Sequence, residues 1–142
     1  MECELCALDE KSVIKKYDHW TVCLNYNQYY LGRNMIVLNR HLENYLEISE
    51  DEHKELWDIM HKVNHGLTNL FSPDLFNYAV LMNVTRHVHM HMIPRYQTQR
   101  EFEGQKFLDE RWGKNYVPYP RDYKISGELF QKIRAALTKE LG

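Results

Sequence analysis

Three histidines stand at alternate positions in the segment from His87 to Ile93, which reads His-Val-His-Met-His-Met-Ile. Residues two apart in a β-strand point to the same face of the sheet, so His87, His89 and His91 are predicted to share one face. The apolar residues between them are predicted to point into the core. Three neighbouring imidazoles buried for structural reasons alone would each need a hydrogen-bond partner. The pattern therefore indicates side chains that perform chemistry, bind a metal ion, or do both.

A second candidate site begins at Cys3 and Cys6, whose spacing is that of half a tetrahedral zinc site. A zinc finger would need a second cysteine pair about 12–20 residues further on, and only Cys23 stands there. Cys23 lies among apolar residues and is interpreted as a small core hydrophobe. Taken alone, the Cys3–Cys6 pair is open to two interpretations, half of a metal site or two unliganded thiols.

Composition excludes several classes of protein. The chain has 142 residues, 44% of them hydrophobic and 13% aromatic, which suits one folded domain with its own core. A net charge of −2 provides no basic excess for binding a nucleic-acid polymer, and no apolar run approaches the roughly 20 residues of a membrane span. The acidic N-terminus is unlike a signal peptide, and three cysteines do not form a disulfide framework. We therefore expect a single cytoplasmic domain over residues 1–142.

Four strands are predicted to position these residues. Runs rich in β-forming residues cover 20–24, 34–38, 76–82 and 87–93, and Pro94 is predicted to close the last one. The first two runs could be antiparallel neighbours joined by a loop. The third and fourth runs follow each other closely in the second half of the chain.

Two helices complete the predicted fold. Ser49 and Glu52 have the spacing of a capping box, and the apolar residues after them recur at three- and four-residue steps as far as Leu70. Pro73 is predicted to end this helix, and Ser126 is predicted to cap a C-terminal helix. The order of strands, helix, strands and helix favours an α+β fold, with a mainly antiparallel sheet, one long helix packed on it and a C-terminal helix.

The histidine row resembles the signature of the histidine-triad (HIT) family, His-φ-His-φ-His-φ-φ with φ apolar, at all seven positions. The segment from Gly32 to His41 is similar to the family strand that ends in a basic residue and histidine. The common Gly-Gln pair before the triad is replaced here by the sequence Leu-Met-Asn-Val at 81–84. The resemblance covers most of the chain and implies the HIT fold.

The resemblance implies a nucleotidyl hydrolase or transferase in which the middle histidine, His89, attacks the α-phosphorus. Neutral imidazole suits this task, because its ordinary pKa of about 6.5 leaves most of it unprotonated at pH 7. His91 and Asn83 could then donate to the non-bridging phosphate oxygens. Asn25 matches the family residue that contacts the nucleotide sugar. The first substrate candidates are dinucleoside polyphosphates such as diadenosine tetraphosphate, and the second are adenosine phosphoramidates.

The resemblance also implies a zinc ion held by Cys3, Cys6, His41 and His87. Four protein ligands leave no open position for water or substrate, so this zinc would be structural. It would fix His87 and stiffen the strand that carries His89. Family members are commonly two-fold dimers, and the resemblance therefore implies a homodimer.

Two other functions stay open at this point. A zinc-stabilised nucleotide-binding module without turnover is favoured by the altered 81–84 segment, whereas the intact His89 and His91 count against it. A redox or metal-dependent hydrolytic enzyme could use all three histidines as metal ligands, and its activity would vanish on chelation.

We divide the domain into a core over residues 1–95 and a C-terminal extension over residues 96–142. About thirty residues between Pro94 and Ser126 show no firm periodicity but carry four aromatic side chains, Trp112, Tyr116, Tyr119 and Tyr123. Long loops in small domains are often functional. We expect this segment to pack across a dimer interface or over the nucleotide pocket, and an irregular connection without function is the alternative.

Overall fold

The computed structural model describes residues 3–142. Within this range the strands are β1 Val13–Lys16, β2 Trp20–Leu24, β3 Asn34–Leu38, β4 Leu75–Ala79, β5 His89–Arg95, β6 Arg100–Phe102 and β7 Gln105–Phe107. The helices are α1 Glu50–Phe71 and α2 Gly127–Leu141, and short 3-10 turns lie at Glu4–Cys6, Glu10–Ser12 and Tyr45–Glu47.

Five strands form one antiparallel sheet in the order β1-β2-β3-β5-β4, and β6 and β7 form a separate hairpin. Strand β5, which carries the histidines, therefore lies inside the sheet between β3 and β4. The predicted α+β fold with a mainly antiparallel sheet, a long helix and a C-terminal helix is confirmed. Strands β2 and β3 have the predicted bounds.

The structure corrects the bounds of the other two predicted strands. Strand β5 begins at His89 and runs through Pro94, rather than spanning 87–93. The last β3–β5 pair is at Met92, so one edge of β5 is free around Pro94 and a residue without an N–H is tolerated there. Strand β4 ends at Ala79 rather than Met82, and Met82 has a φ of 54°, which an extended strand does not accommodate. Strand β1 and the β6–β7 hairpin were not predicted.

Helix α1 begins with the predicted capping box. The Ser49 hydroxyl accepts from the backbone N–H of Glu52, and the Glu52 carboxylate accepts from the backbone N–H of Ser49. The helix ends at Phe71, because Ser72 adopts the left-handed conformation ahead of Pro73. Arg40 binds the buried Glu52 carboxylate through Nε and Nη2, at 2.7 and 2.9 Å. This contact ties the residue next to His41 to the start of α1.

The main core lies between one face of the sheet and α1. The sheet contributes buried Trp20, Val22, Ile36, Leu38, Met90 and Met92, and α1 contributes Leu56, Ile59, Val63 and Leu67. Helix α2 packs against α1 and β1 and adds Leu129, Ile133 and Leu137. The predicted burial of the apolar residues that alternate with the histidines is confirmed. The histidine row consequently lies on the opposite face of the sheet.

A glycine is required at the turn that leads into β3. Gly32 has a φ of +88°, and an added Cβ would lie 2.6 Å from Cδ2 of Leu67 in α1. The turn places Arg33 directly at the start of β3. Among residues 3–142, no helix is both long and apolar enough to cross a membrane.

Candidate functional site

Side chains from three separate parts of the chain meet near the end of β3 and the start of β5. Sγ of Cys3 lies 3.2 Å from Nδ1 of His87, and Sγ of Cys6 lies 3.3 Å from Nδ1 of His41. The two Nδ1 atoms are 3.2 Å apart. All four ligand atoms lie within 4.8 Å of one another. The structure thus brings together the four residues that were predicted to hold zinc.

Both histidines in this cluster have an acceptor on the ring nitrogen that faces away from it. Nε2 of His87 lies 2.7 Å from the carbonyl oxygen of Leu38. Because a carbonyl only accepts, Nε2 carries the proton and the Nδ1 lone pair faces the thiols. Nε2 of His41 lies 3.2 Å from a carboxylate oxygen of Glu43, and this contact raises the pKa of His41. Outer partners of this kind orient histidine ligands for a metal.

The donor set fits a zinc ion. Two thiols and two imidazoles match its preferred ligands. A tetrahedron with bonds of about 2.0–2.3 Å has edges of about 3.3–3.8 Å, and four of the separations between ligand atoms lie at 3.2–3.5 Å. Burial raises the pKa of Cys3, but hydrogen bonds from Cys6, from His41 and from two backbone N–H groups bring it below its ordinary value. A metal-binding thiolate is therefore favoured at Cys3.

Only the first histidine of the row belongs to this cluster. Among residues 3–142, the one group of ligands close enough to hold a metal contains His87 but neither His89 nor His91. This arrangement counts against the interpretation in which all three histidines hold one metal ion.

His89 is oriented by the backbone. Its Nδ1 lies 2.6 Å from the carbonyl oxygen of His87, so Nδ1 carries the proton and Nε2 keeps its lone pair. Nε2 has no hydrogen-bond partner in residues 3–142. The ring centroids of His89 and His91 are 5.0 Å apart, and the two rings meet edge to face. The geometry therefore leaves the Nε2 lone pair of His89 available for nucleophilic attack.

His91 is held neutral. Burial is the main cause that lowers its pKa, to about 3, and the positive charge of Arg33 lowers it further. Its Nδ1 is buried and has no hydrogen-bond partner among the described residues. A buried polar atom without a partner is costly, which indicates that a ligand atom completes this position.

The two asparagines lie at opposite ends of the site. Asn25 follows β2, its backbone N–H donates to the carbonyl of Arg33, and its side-chain oxygen accepts from the backbone N–H of Asn27. Asn83 is exposed in the loop before His87 and lines a cleft of about 700 Å³ whose other lining residues include Cys3 and His41. The structure therefore places Asn83 beside the metal-type cluster, which is the group of Cys3, Cys6, His41 and His87. Asn83 has no hydrogen bond to another described residue.

Two buried arginines on the histidine face were missed by the sequence analysis. Arg33 precedes β3, and its guanidinium lies 4.7 Å from the ring centroid of Tyr119 and 5.8 Å from that of Tyr116. Arg95 ends β5 and forms an ion pair with Asp109 at 2.7 Å. The family resemblance of the segment Gly32–His41 covers Arg33. The proximity of Arg33 to His91 could not be predicted, because it depends on the register of β3 against β5.

Comparison with known protein families shows to which family this chain belongs. The sequence profile of the HIT domain matches residues 8–98, which is more than half of the chain. The chain belongs to the HIT family. HIT proteins are in general nucleotide hydrolases or transferases that act on nucleotide substrates. No curated protein is significantly similar to this HIT protein in sequence.

Solved structures of HIT proteins share the fold. A histidine triad protein from Bradyrhizobium japonicum superposes with a TM-score of 0.76 at 16% identity, over 96% of this chain and 98% of that one. A zinc-bound histidine triad family protein from Mycobacterium smegmatis gives 0.60 at 12% identity, over 89% and 84%. The diadenosine triphosphate hydrolase of Plasmodium falciparum gives 0.65 at 14% identity, over 95% and 82%. At these identities the similarity establishes the fold alone.

Proposed function

We propose that this HIT protein cleaves nucleotides at the α-phosphate through a covalent nucleotidyl intermediate on His89. The observation that carries the proposal is the 2.6 Å contact between Nδ1 of His89 and the carbonyl oxygen of His87, which leaves Nε2 as the nucleophile. The general activity of the family and the similarity in fold to a diadenosine triphosphate hydrolase support it.

The reaction has two displacement steps at the same phosphorus. In the first, the Nε2 lone pair forms an N–P bond to the α-phosphorus while the bond to the leaving group breaks, which is P–O in a dinucleoside polyphosphate and P–N in a phosphoramidate. The leaving oxygen or nitrogen keeps the electron pair and takes a proton from water. In the second, a water oxygen or another acceptor attacks the phosphorus, the N–P bond breaks, and its electron pair returns to Nε2. Water as the acceptor yields a nucleoside monophosphate and releases a proton.

Other residues of the site stabilise charge or bind the substrate. His91 lies beside His89 and can donate to a non-bridging oxygen where negative charge develops. On the family resemblance, Asn83 in the loop before the row is assigned to the non-bridging phosphate oxygens, and Asn25 is assigned to the sugar. Cys3, Cys6, His41 and His87 would hold a structural zinc ion. Dinucleoside polyphosphates such as diadenosine tetraphosphate are the first substrate class, and adenosine phosphoramidates are the second.

The proposal includes a homodimer in the cytoplasm. Strand β4 is an edge of the sheet, has β5 as its one neighbour among residues 3–142, and exposes Leu75 and Tyr78. An edge strand with exposed apolar side chains is suited to pairing with another chain. Reduced thiols at Cys3 and Cys6 suit a cytoplasmic location. Light scattering of the purified protein gives the oligomeric state directly.

The experiment is turnover of a substrate panel in ¹⁸O-labelled water, read by mass spectrometry. Attack at the α-phosphorus places one ¹⁸O in the nucleoside monophosphate and none in the leaving group. The same panel is run with His89→Ala, which should not turn over. His65→Ala is its matched control, because His65 is an exposed histidine on α1. Label in the leaving group contradicts the mechanism, and nucleotide binding without any turnover favours the zinc-stabilised binding module.

A further inference from the structure

Arg33 and Arg95 are both buried on the histidine side of the sheet, but only one of them is neutralised. Arg95 makes hydrogen bonds to both carboxylate oxygens of Asp109, to the side chain of Asn77 and to the backbone carbonyls of Arg111 and Lys114. Arg33 is 5% exposed. Within residues 3–142 it forms no salt bridge, and its Nε and Nη1 atoms are buried without a hydrogen-bond partner.

The register of the sheet places Arg33 next to His91. Met35 of β3 is paired with His91 of β5, so these two side chains lie on the same face. Arg33 stands two positions before Met35, and a diagonal neighbour of this kind lies within reach of a long side chain. The positive charge of Arg33 is close enough to His91 to contribute, after burial, to the lowered pKa of that ring. Unpartnered donors of Arg33 and the unpartnered Nδ1 of His91 therefore lie together on the histidine face.

A buried cation without an anion is expensive to keep. Desolvation of a charged group costs several kcal/mol unless it is paired, and the rings of Tyr116 and Tyr119 compensate for only part of that cost. The protein itself provides no carboxylate for Arg33 in the described residues. The missing anion is therefore expected to come from a ligand.

We infer that Arg33 and His91 together bind the anionic phosphate that is attached to the nucleoside. This inference rests on the proposed function, because the ligand is the phosphate that His89 would attack. A planar guanidinium with two free donors matches two phosphate oxygens. Arg33 is thus assigned as a residue that binds the phosphate and contributes positive charge to the site. Tyr116 and Tyr119 hold its guanidinium from the C-terminal segment.

Equilibrium binding of reaction products tests this assignment without any chemical step. The four nucleoside monophosphates and their matching nucleosides are titrated into wild type, Arg33→Met, Arg33→Lys and Tyr119→Phe. We expect Arg33→Met to weaken monophosphate binding by at least 10-fold and to leave nucleoside binding unchanged. Arg33→Lys should recover part of the loss, since it keeps the charge but not the planar fork. Tyr119→Phe keeps the ring that contacts Arg33 and removes only the hydroxyl, so it should weaken monophosphate binding much less than Arg33→Met does.

Thermal melting separates this role from a purely structural one. If Arg33 is an uncompensated cation, ligand-free Arg33→Met melts at the same temperature as wild type or higher, whereas a structural arginine would lower it. Equal monophosphate affinity in wild type and Arg33→Met overturns the inference even when the enzyme turns over nucleotides. A wild-type protein that binds no monophosphate and turns over no nucleotide overturns both the inference and the proposed function.

Discussion

The backbone carbonyl of His87 accepts a hydrogen bond from Nδ1 of His89 at 2.6 Å, while the side chain of His87 points to Cys3 and Cys6. One residue therefore serves two sites, with its ring in the metal-type cluster and its main chain against the nucleophile. Anything that fixes the His87 ring also restricts the carbonyl that sets the tautomer of His89. The cluster and the nucleophile are expected to respond together when either is changed.

The first prediction concerns the metal. Purified protein should contain about one zinc ion per chain, and Cys3→Ser should lose most of it and melt at a lower temperature, because metal binding by a structural site contributes to folding free energy. Metal analysis and thermal melting measure both effects. Cys23→Ala is the control, since Cys23 is buried and is not among the four clustered ligands, and its replacement should retain the zinc. A zinc-free protein with a Cys3→Ser variant of unchanged stability contradicts the assignment.

The second prediction concerns the nucleophile. His89→Ala should fold, keep its zinc and bind nucleotide, but lose the chemical step by on the order of 10⁴-fold or more. His91→Ala and Asn83→Ala should lose less, on the order of 10²–10³-fold for a single donor. Rapid quench with a radiolabelled dinucleotide should trap an acid-labile adduct on wild-type His89. An adduct on another residue, or full activity in His89→Ala, excludes this mechanism.

The third prediction concerns Glu52 and pH. The hydrogen bonds from Arg40 lower the pKa of Glu52 from an ordinary value of 4.5 to about 2. A carboxyl group with a lowered pKa stabilises the folded state above its unfolded pKa, and that stabilisation is lost as pH falls through the folded pKa. Glu52→Gln should therefore reduce the free energy of unfolding by about 1–3 kcal/mol at pH 7.

Urea denaturation at several pH values checks this dependence. The difference between wild type and Glu52→Gln should be constant above pH 5 and should shrink steadily as pH falls from 4.5 towards 2. Asp51→Asn, an exposed neighbour on the first turn of α1, should cost well under 1 kcal/mol at every pH. A pH-independent difference for Glu52→Gln would show that the Arg40 contact adds nothing beyond helix capping.

The fourth prediction concerns the ion pair that anchors the C-terminal segment. Asp109 and Arg95 have side chains that are 1% and 3% exposed, so removing the carboxylate leaves a buried cation. Asp109→Asn should lower the free energy of unfolding by about 3–5 kcal/mol, measured by urea denaturation. Asp122→Asn lies in the same segment but is exposed and should be close to neutral. A small loss in Asp109→Asn would mean that the carbonyl contacts alone hold Arg95.

Local signals in the sequence predicted the elements that depend on local contacts. The capping box of Ser49 and Glu52 and the bounds of β2 and β3 follow from neighbouring residues, and all are present in the structure. The burial of Cys23 is also confirmed. The sequence was less informative where backbone conformation or distant pairing decides. Strand β4 was predicted to reach Met82, but it ends at Ala79 and Met82 has a positive φ.

The candidate site was also predictable only where local patterns or the family resemblance indicate it. The cluster around His87 was expected from the family resemblance, and the row of histidines from strand periodicity. The proximity of Arg33 to His91 follows only from the β3–β5 register, which no local pattern specifies. The division of the domain at residue 95 remains a prediction. The aromatic segment after it is held by Arg95 and lies against Arg33 on the histidine side.

The position of β5 inside the sheet has a kinetic consequence. Strands β2 and β3 follow each other in sequence and can pair early, but the pairing of β3 with β5 joins segments that are separated by the whole of α1. His41 and His87 are 46 positions apart in the chain, and such non-local contacts form slowly because loop closure must come first. A chain that has formed only its hairpins and helices holds neither the cluster nor the oriented His89. Metal capture by the refolding chain therefore reports the moment at which β3 and β5 pair.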